Sequence, residues 1–464
     1  MKPFELSVRI VGPNSKQKAT SMNNHNAIGK TARDLVIEAL PDPQSFSEME
    51  DQVQRFTHWL GNVILHLWLM WLAVRYPAAR VVCPHCGGQA EYQRKRQGKL
   101  YTLFGVVRYW RAYYLCACQQ GHCPLDERLG LRPNALSAEV ERLAGLLGVQ
   151  MPFGKGSDVF EELTLVSISD HSLDKAAAAY GREVQQREAE WYAEAMNEET
   201  LLRREREQAR PMRMYGAIDG GRVQTRGPHG EEQPWRELKV GVWFEAKGQP
   251  PKQPGGQWAI KAQNITYYTD IAPASEFGKI AWATGVQRDV HRAKALVFLG
   301  DGARWIWELV EENFPHAIQI VDWFHACEYI APVAKVAWRD DQQQALWIEQ
   351  VKSALWTGDL DAVIAACAPF IDPQRENDPA QQAVTYYTNN RQRMDYPTYR
   401  ANGYHIGSGT IESGVKQIAQ QRMKVPGARW NADNAALVAK ARAALLSGQW
   451  PELASRRTHL RKVA

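Results

Sequence analysis

Three carboxylates in this sequence stand where an acid is displayed rather than hidden. Asp219 lies in Tyr215-Gly-Ala-Ile-Asp-Gly-Gly-Arg222, Asp301 in Phe298-Leu-Gly-Asp-Gly-Ala-Arg304 and Glu412 in Gly407-Ser-Gly-Thr-Ile-Glu-Ser413. Small neighbours leave room for a ligand against the oxygens. Singly, each acid is explained as well by a cap, a salt bridge or a turn. Together they would repel one another and lose much hydration unless a cation joined them. Hard oxygen donors with open positions suit Mg2+ or Mn2+. Two such ions about 4 Å apart activate an attacking oxygen and stabilise a leaving one, which is phosphoryl-transfer chemistry. His325, in Asp322-Trp-Phe-His325, is a further candidate, for a hydrogen bond to a phosphate or for ordering the site. Beside Trp323 and Phe324 it is equally a packed core residue.

A second group of residues suits a softer metal. Cys83-Pro-His-Cys86-Gly-Gly is followed later by Cys116-Ala-Cys118-Gln-Gln-Gly-His122-Cys123. The segment between, Leu100 to Leu115, is β-branched and aromatic around a glycine, as in a hairpin. Two cysteine knuckles on a hairpin make the layout of a zinc ribbon, and the two-residue gap in the first lets both thiolates face one Zn2+. The second knuckle is irregular. Cys116 and Cys118 are one residue apart, with Cys123 and His122 as spare ligands, so the fourth ligand stays open. Arg94, Lys95 and Arg96, with Lys99, Arg108 and Arg111, alternate here with Tyr92, Tyr101, Tyr109, Trp110 and Tyr113. Basic side chains among aromatics suit a phosphate backbone; the plainer account is a solvated face over a small core.

These groups need elements to hold them. Leu296 to Leu299 reads as a buried strand ending at Asp301, with an amphipathic helix from Ala303 to Asn313 after it. Met212 to Thr225, with Asp219 at its middle, Glu237 to Glu245 and Asn264 to Thr269 read as three strands of antiparallel type. A helix follows around Ala274 to Thr284, and His316 to Val321 is a fifth strand. The sum is a mixed α/β sheet. From Ala326 to Arg400 only helical periodicity and breakers occur. Gly407 to Ile418 opens a helix with Ser408 or Thr410 as cap and Glu412 in its first turn. A ribonuclease-H-like sheet sets its first strand beside its fourth and packs a late helix on them, which would bring Asp219, Asp301 and Glu412 together.

Upstream, residues 12 to 33 have the composition of a mobile segment. Phe46 to Tyr76 is helical, capped at Ser47 and stopped by Pro77. Ser137 caps a helix through Leu147, Asp158 to Leu165 forms another, and Leu173 to Tyr180 a third that ends at Gly181, in a weak helix-turn-helix pattern. Glu183 to Gln208 reads as a charged connector helix.

Composition sets the outer bounds. The 464 residues suffice for two or three domains. A net charge of +5 is only mildly basic and points weakly to nucleic acid. The opening residues lack the apolar run of a secretory signal. Trp59 to Val74 is too short and too polar, at Asn62 and His66, for a membrane span, and reads as a buried or dimerising helix. Five of the seven cysteines fall between positions 83 and 123, which argues against a secreted disulfide scaffold and for a reducing cytoplasm.

Longer motifs carry a resemblance. Tyr-Gly-Ala-Ile-Asp219-Gly-Gly-Arg, Phe-Leu-Gly-Asp301-Gly-Ala-Arg-Trp-Ile-Trp, Ile-Val-Asp322-Trp-Phe-His325-Ala-Cys-Glu-Tyr, Gly-Ser-Gly-Thr-Ile-Glu412-Ser and Arg422-Met-Lys-Val-Pro-Gly-Ala-Arg-Trp430 resemble the ISKra-type bacterial insertion-sequence transposases. The likeness extends over nearly the whole chain, the cysteine ribbon and Pro124-Leu-Asp included. It implies an α/β chain: a ribonuclease-H-like DDE catalytic core with an all-helical insertion, plus an N-terminal helical and zinc-ribbon DNA-binding region. Asp219, Asp301 and Glu412 take the family's acidic positions, and Asp322-x-x-His325 is similar to the signature of mutator-like transposases. The second knuckle departs from the family's Cys-x-x-Cys; the spacing of Cys118 to Pro124 favours Cys116 and Cys118 over Cys123.

The expected divisions are an N-terminal helical region at 1–80, the ribbon at 81–130, and a helical DNA-binding or connector region at 131–210. The first part of the core follows at 211–325, then the insertion at 326–402, and the Glu412 helix with a basic tail at 403–464. The implied partners are double-stranded DNA, as element ends and target, and a second copy in a homodimer. The implied metals are Mg2+ or Mn2+ on the acids and a structural Zn2+. Arg422, Lys424 and Arg429, beyond the Glu412 helix, are placed to grip DNA. A nuclease that only hydrolyses, or a DNA-binding regulator derived from a transposase, are the rival expectations.

Overall fold

The computed structural model describes residues 42–74, 78–207, 209–227, 235–249 and 259–463. The serine- and asparagine-rich segment 12–33 lies outside the described residues. The chain divides into two compact units, residues 1–137 with 162–166, and residues 138–161 with 167–464.

In the first unit a helix spans Phe46–Ala73. Its cap is Ser45, whose side chain accepts from the N–H of Glu48, and not the expected Ser47; the helix also stops short of Pro77. Strands Gln89–Thr102 and Gly105–Cys116 pair as a long antiparallel hairpin. Gly105 turns it at φ +86°, a backbone angle that suits glycine. Leu100, Tyr109 and Leu125 form a small core against Leu69 and Leu72 of the helix. Among the described residues no helix is long and apolar enough to cross a membrane.

The second unit is mixed α/β. Its sheet has five strands, β1 (Arg213–Val223), β2 (Arg236–Gln249), β3 (Ala259–Asp270), β4 (Ala295–Gly300) and β5 (Ile318–Val321), in the order β3-β2-β1-β4-β5. The first three are antiparallel neighbours. β4 runs parallel to β1, and β5 parallel to β4. Helices cover both faces: Tyr268 stacks on Phe277 of the helix Ala274–Gln287, while Gly414, on the helix Gly409–Val415, lies against the ring of Tyr267. Successive strand residues point to opposite faces, so the two helices lie on opposite sides. Burial on both sides is why Leu296 to Leu299 is an unbroken apolar run.

The expected break at Gly181 is absent. One helix runs from Asp170 to Ala195, and a short one, Glu198–Glu207, follows. A Cβ at Gly181 would collide with the backbone of Leu437, so this glycine admits the helix Ala432–Leu446 rather than ending its own. Lys440, 1% exposed, ties the two helices to β3 by donating to Glu188 at 2.5 Å and Asp270 at 2.9 Å. The supposed connector is therefore part of the second unit.

Between β5 and the Glu412 helix the chain is helical, as expected, in the helices Ile330–Ala337, Asp341–Trp356, Leu360–Cys367, Pro379–Asn390 and Tyr396–Ala401. Four tyrosines of this insertion donate to backbone carbonyls, three at β5 or the end of β4 and one in the helix Trp323–Glu328 that follows. They are Tyr386 to Asp301 (2.7 Å), Tyr387 to Ala326 (2.7 Å), Tyr396 to Val321 (3.1 Å) and Tyr399 to Gln319 (3.3 Å). Each gives a backbone carbonyl a side-chain partner.

Candidate functional site

Strand register sets the acids side by side. Leu299 of β4 pairs with Ala217 of β1, and Asp301 and Asp219 lie two residues further along each strand. On neighbouring strands that puts their backbones roughly 4.8 Å apart. Gly300 pairs with Val321 of β5, so Asp322 is level with Asp301 as well. Three carboxylates thus stand in a row, Asp301 and Asp322 just past the C-terminal ends of β4 and β5, where open parallel sheets bind ligands, and Asp219 level with them inside β1. Asp219 accepts from the N–H of Gly220 at 2.6 Å and Asp301 from that of Ala303 at 2.8 Å. Gly302, at φ +99°, lies under the ring of Tyr386, where a Cβ would come within 2.5 Å. That glycine is needed for the insertion to close on Asp301 as much as for access to the acid.

Glu412 arrives from the other end of the chain. Its helix continues as a π-helical turn, Lys416–Met423, and lies on β1 because Gly221 has no side chain. A Cβ there would come 2.8 Å from Ala419 and 3.5 Å from Val415. Such wide turns recur at functional sites. Ser408 stands at the helix start but does not cap the backbone; its hydroxyl donates to the Glu412 carboxylate.

Asp322 joins these parts; the sequence placed it in the Asp322-x-x-His325 motif but gave it no role of its own. It is wholly buried. One oxygen accepts from the His325 N–H at 2.7 Å and lies 3.0 Å from His325 Nδ1; the other accepts from the N–H of Ser408. Ligand atoms of Asp322, His325 and Glu412 all lie within 4.8 Å of one another, a group able to hold a metal ion. The visible signal was Asp322 itself, an acid ending a buried run directly before a helix.

The electrostatics are those of a negative cluster short of cations. Burial, and then the charges of Asp301 and Glu412, raise the Asp219 carboxyl above its ordinary range, against the Gly220 N–H and His325. Although burial pushes Asp322 upward, its bonds from His325 and Ser408 hold it below the usual value. Oxygen donors crowded in this way match the demand of a hard divalent cation. His325 is raised from 6.5 to about 9, chiefly by its hydrogen bond to Asp322. In metal-free protein we expect its ring to stay protonated through neutral pH, read by histidine NMR, and Asp322→Asn to lower its pKa by at least about one unit. Because the folded value is the raised one, the pair's stabilisation is complete below 6.5 and lost as pH rises through about 9. An unchanged titration in Asp322→Asn would contradict this.

In the first unit Cys83, Cys86, Cys116 and Cys118 converge within 4.8 Å. The Sγ–Sγ distances are 3.8 Å for Cys83–Cys118 and 3.5 Å for Cys86–Cys116. Four thiolates at zinc's bond length of about 2.3 Å stand about 3.8 Å apart on a tetrahedron. The spare ligands have other neighbours. His122 pairs with Glu127 at 3.0 Å, and Cys123 is outside the group. The one-residue gap works because Cys116 ends its strand and Gln119, at φ +62°, turns the chain back beyond Cys118.

The basic residues divide. Arg94 and Lys95 are exposed on the hairpin, and Arg96 lies over the Tyr113 ring at 3.4 Å. Arg111 instead pairs with Asp126 at 3.0 Å. Lys424 and Arg429 are exposed. Arg422 corrects its expectation as a DNA contact. It is 2% exposed, donates twice to the Gly148 carbonyl (3.0 and 2.7 Å) and sits beside the rings of Phe153 and Trp430. Arg422→Ala is expected to cost about 3 kcal/mol of stability in urea unfolding, by orphaning a buried carbonyl. A loss of DNA binding without a loss of stability would contradict that role.

No family model matches this chain, and no curated protein matches it.

Proposed function

We propose that the protein is a DNA transposase with a ribonuclease-H-like core. The observation that carries the reading is the levelling of Asp219 and Asp301 on adjacent parallel strands, with Glu412 brought onto the same edge by a late helix. The sheet order, with three antiparallel strands, then two parallel ones, and the first strand beside the fourth, agrees with the ribonuclease-H-like expectation and supports the reading. The likeness to ISKra-type transposases, carried by the motifs around these acids, supports the element-end substrate.

Divalent cations of the Mg2+ or Mn2+ kind would supply charge neutralisation and a more acidic bound oxygen when held by Asp219, Asp301 and Glu412. The chain's own part is positioning. Asp322 locks His325 and the Ser408 turn, and Ser408 in turn orients Glu412. His325, carrying a proton, is suited to donate to a scissile phosphate. Water attacks the phosphodiester at the element end, and the freed 3′-OH then attacks target DNA. Little side-chain proton transfer is required. In this reading the cysteine ribbon, with Arg94, Lys95 and Arg96, binds the ends, and Lys424 and Arg429 hold DNA near the acids. Two ends must be brought together, which calls for two copies.

The test is a reaction of purified protein, end DNA, Mg2+ and a supercoiled plasmid. Joined products are expected. Cutting without joining would point to a nuclease of the same fold, and binding without cutting to a DNA-binding regulator.

A further inference from the structure

The helix Phe46–Ala73 carries a seam with a seven-residue repeat. Phe46, Val53, Leu60, Leu67 and Val74 occupy its first position, and Met49, Phe56, Val63 and Met70 its fourth. All are apolar, over four heptads. That spacing keeps one stripe facing a partner helix in a left-handed supercoil. Yet no residue of the helix is buried. Phe46, Met49, Val53, Leu60, Leu67, Met70 and Val74 are 40–75% exposed.

Its own hairpin leaves most of the seam uncovered, because it holds the opposite face; only at the end do Met70 and Val74 line a cavity with Tyr92, Lys95 and Trp110 of the hairpin. Asn62 donates to the Phe104 carbonyl at 2.6 Å, and Leu69 and Leu72 pack on Leu100, Tyr109 and Leu125. At about 100° per residue these positions lie half a turn from the seam, so turning the helix to bury one face would strip the other. A two-faced helix of this kind is complete only with a second helix. The flanking positions, Glu50, Thr57, Ile64 and Trp71 on one side and Gln52, Trp59, His66 and Ala73 on the other, carry one charge. Nothing there selects a partner of different charge pattern. Glu48, Asp51 and Arg55 lie off the seam, and Arg55 pairs within the helix with Asp51 at 2.8 Å. A uniform apolar seam is self-complementary about a two-fold axis.

We propose that the helix Phe46–Ala73 forms a parallel, in-register two-stranded coiled coil with the same helix of a second copy of this chain. Dimerisation thus has its own device in the first unit. The proposal stands apart from the phosphoryl-transfer reading, since oligomeric state is measured without DNA or magnesium.

The experiment is sedimentation analysis of the full chain and of the double variant Leu60→Glu/Leu67→Glu, with zinc content and circular dichroism as controls on folding. The native chain is expected to be a dimer, and the variant to dimerise at least about a hundredfold more weakly. A native monomer at tens of micromolar, as when another segment or a foreign protein covers the seam, overturns the proposal. So does a dimer unchanged in the variant. Should the double variant not fold, Val63→Cys decides. Mild oxidation is expected to cross-link two copies through it, and not through Asp51→Cys on the outer face. Cross-linking equal at both positions, or at neither, is a negative result.

Discussion

Asp301→Asn is expected to reduce Mg2+-dependent cleavage of element-end DNA by roughly a thousandfold or more. A cation held by carboxylates contributes several kcal/mol of charge stabilisation to the transition state, and each 1.4 kcal/mol or so is a factor of about ten. The substitution is gentle on the fold. Asp301 uses one oxygen to accept from the Ala303 N–H, a bond that asparagine's carbonyl keeps, and its backbone carbonyl still receives Tyr386. It also removes one of the charges that raise Asp219, so the core should become no less stable. In the transposase reading DNA binding should persist or tighten slightly, because a negative charge has left the surface that would meet phosphate. The pair of measurements is therefore a cleavage rate at saturating DNA and a binding isotherm on the same preparation. Cleavage at the native rate would end the assignment of Asp301 as a metal ligand, and with it the reading of the whole edge.

Removal of zinc is expected to unfold the ribbon while the second unit stays folded. The buried cluster beneath the cysteines is Cys83, Ala90, Ala112, Tyr114 and Cys116, and two of these five are themselves thiols in the metal group. So small a core cannot offset the backbone entropy of ordering two knuckles. Structural zinc contributes an apparent ~10–16 kcal/mol at neutral pH, which is ample. The second unit owes nothing to that group, since its core runs through Trp243, Phe298 and Val310 among many others. One zinc per chain is expected by elemental analysis of the native protein. Cys83→Ser and Cys118→Ser should lose it and become open to proteolysis within the ribbon, and Cys123→Ser should retain it. Loss of end binding should accompany loss of zinc if Arg94, Lys95 and Arg96 act from this hairpin. Retention of zinc in Cys118→Ser, with loss in Cys123→Ser, would reverse the ligand assignment.

What could be read from the chain alone was local. Unbroken apolar runs marked β4 and β5, alternation and glycines marked the hairpin, and breakers marked the helical insertion, because each signal is set by neighbours within a turn or two. Even there, near-equivalent caps were confused: Ser45 and not Ser47 starts the first helix, since the choice depends on which side chain reaches an N–H. Motif context also singled out Asp219, Asp301 and Glu412 as candidates. Tertiary structure decided the rest. Register made Asp322 level with Asp301, and the missing side chain of Gly221 let the Glu412 helix lie against β1. Gly181 passed from helix stop to contact point, and Arg422 from DNA contact to buried strut, through partners at Leu437 and Gly148 that are distant in sequence. Cys118, already favoured over Cys123, stands within 3.8 Å of Cys83 in the structure. The physical reason is common to all of these. A residue's type and its neighbours set what it can do, but burial, register and reach are properties of contacts between segments far apart in the chain, and only packing chooses among them.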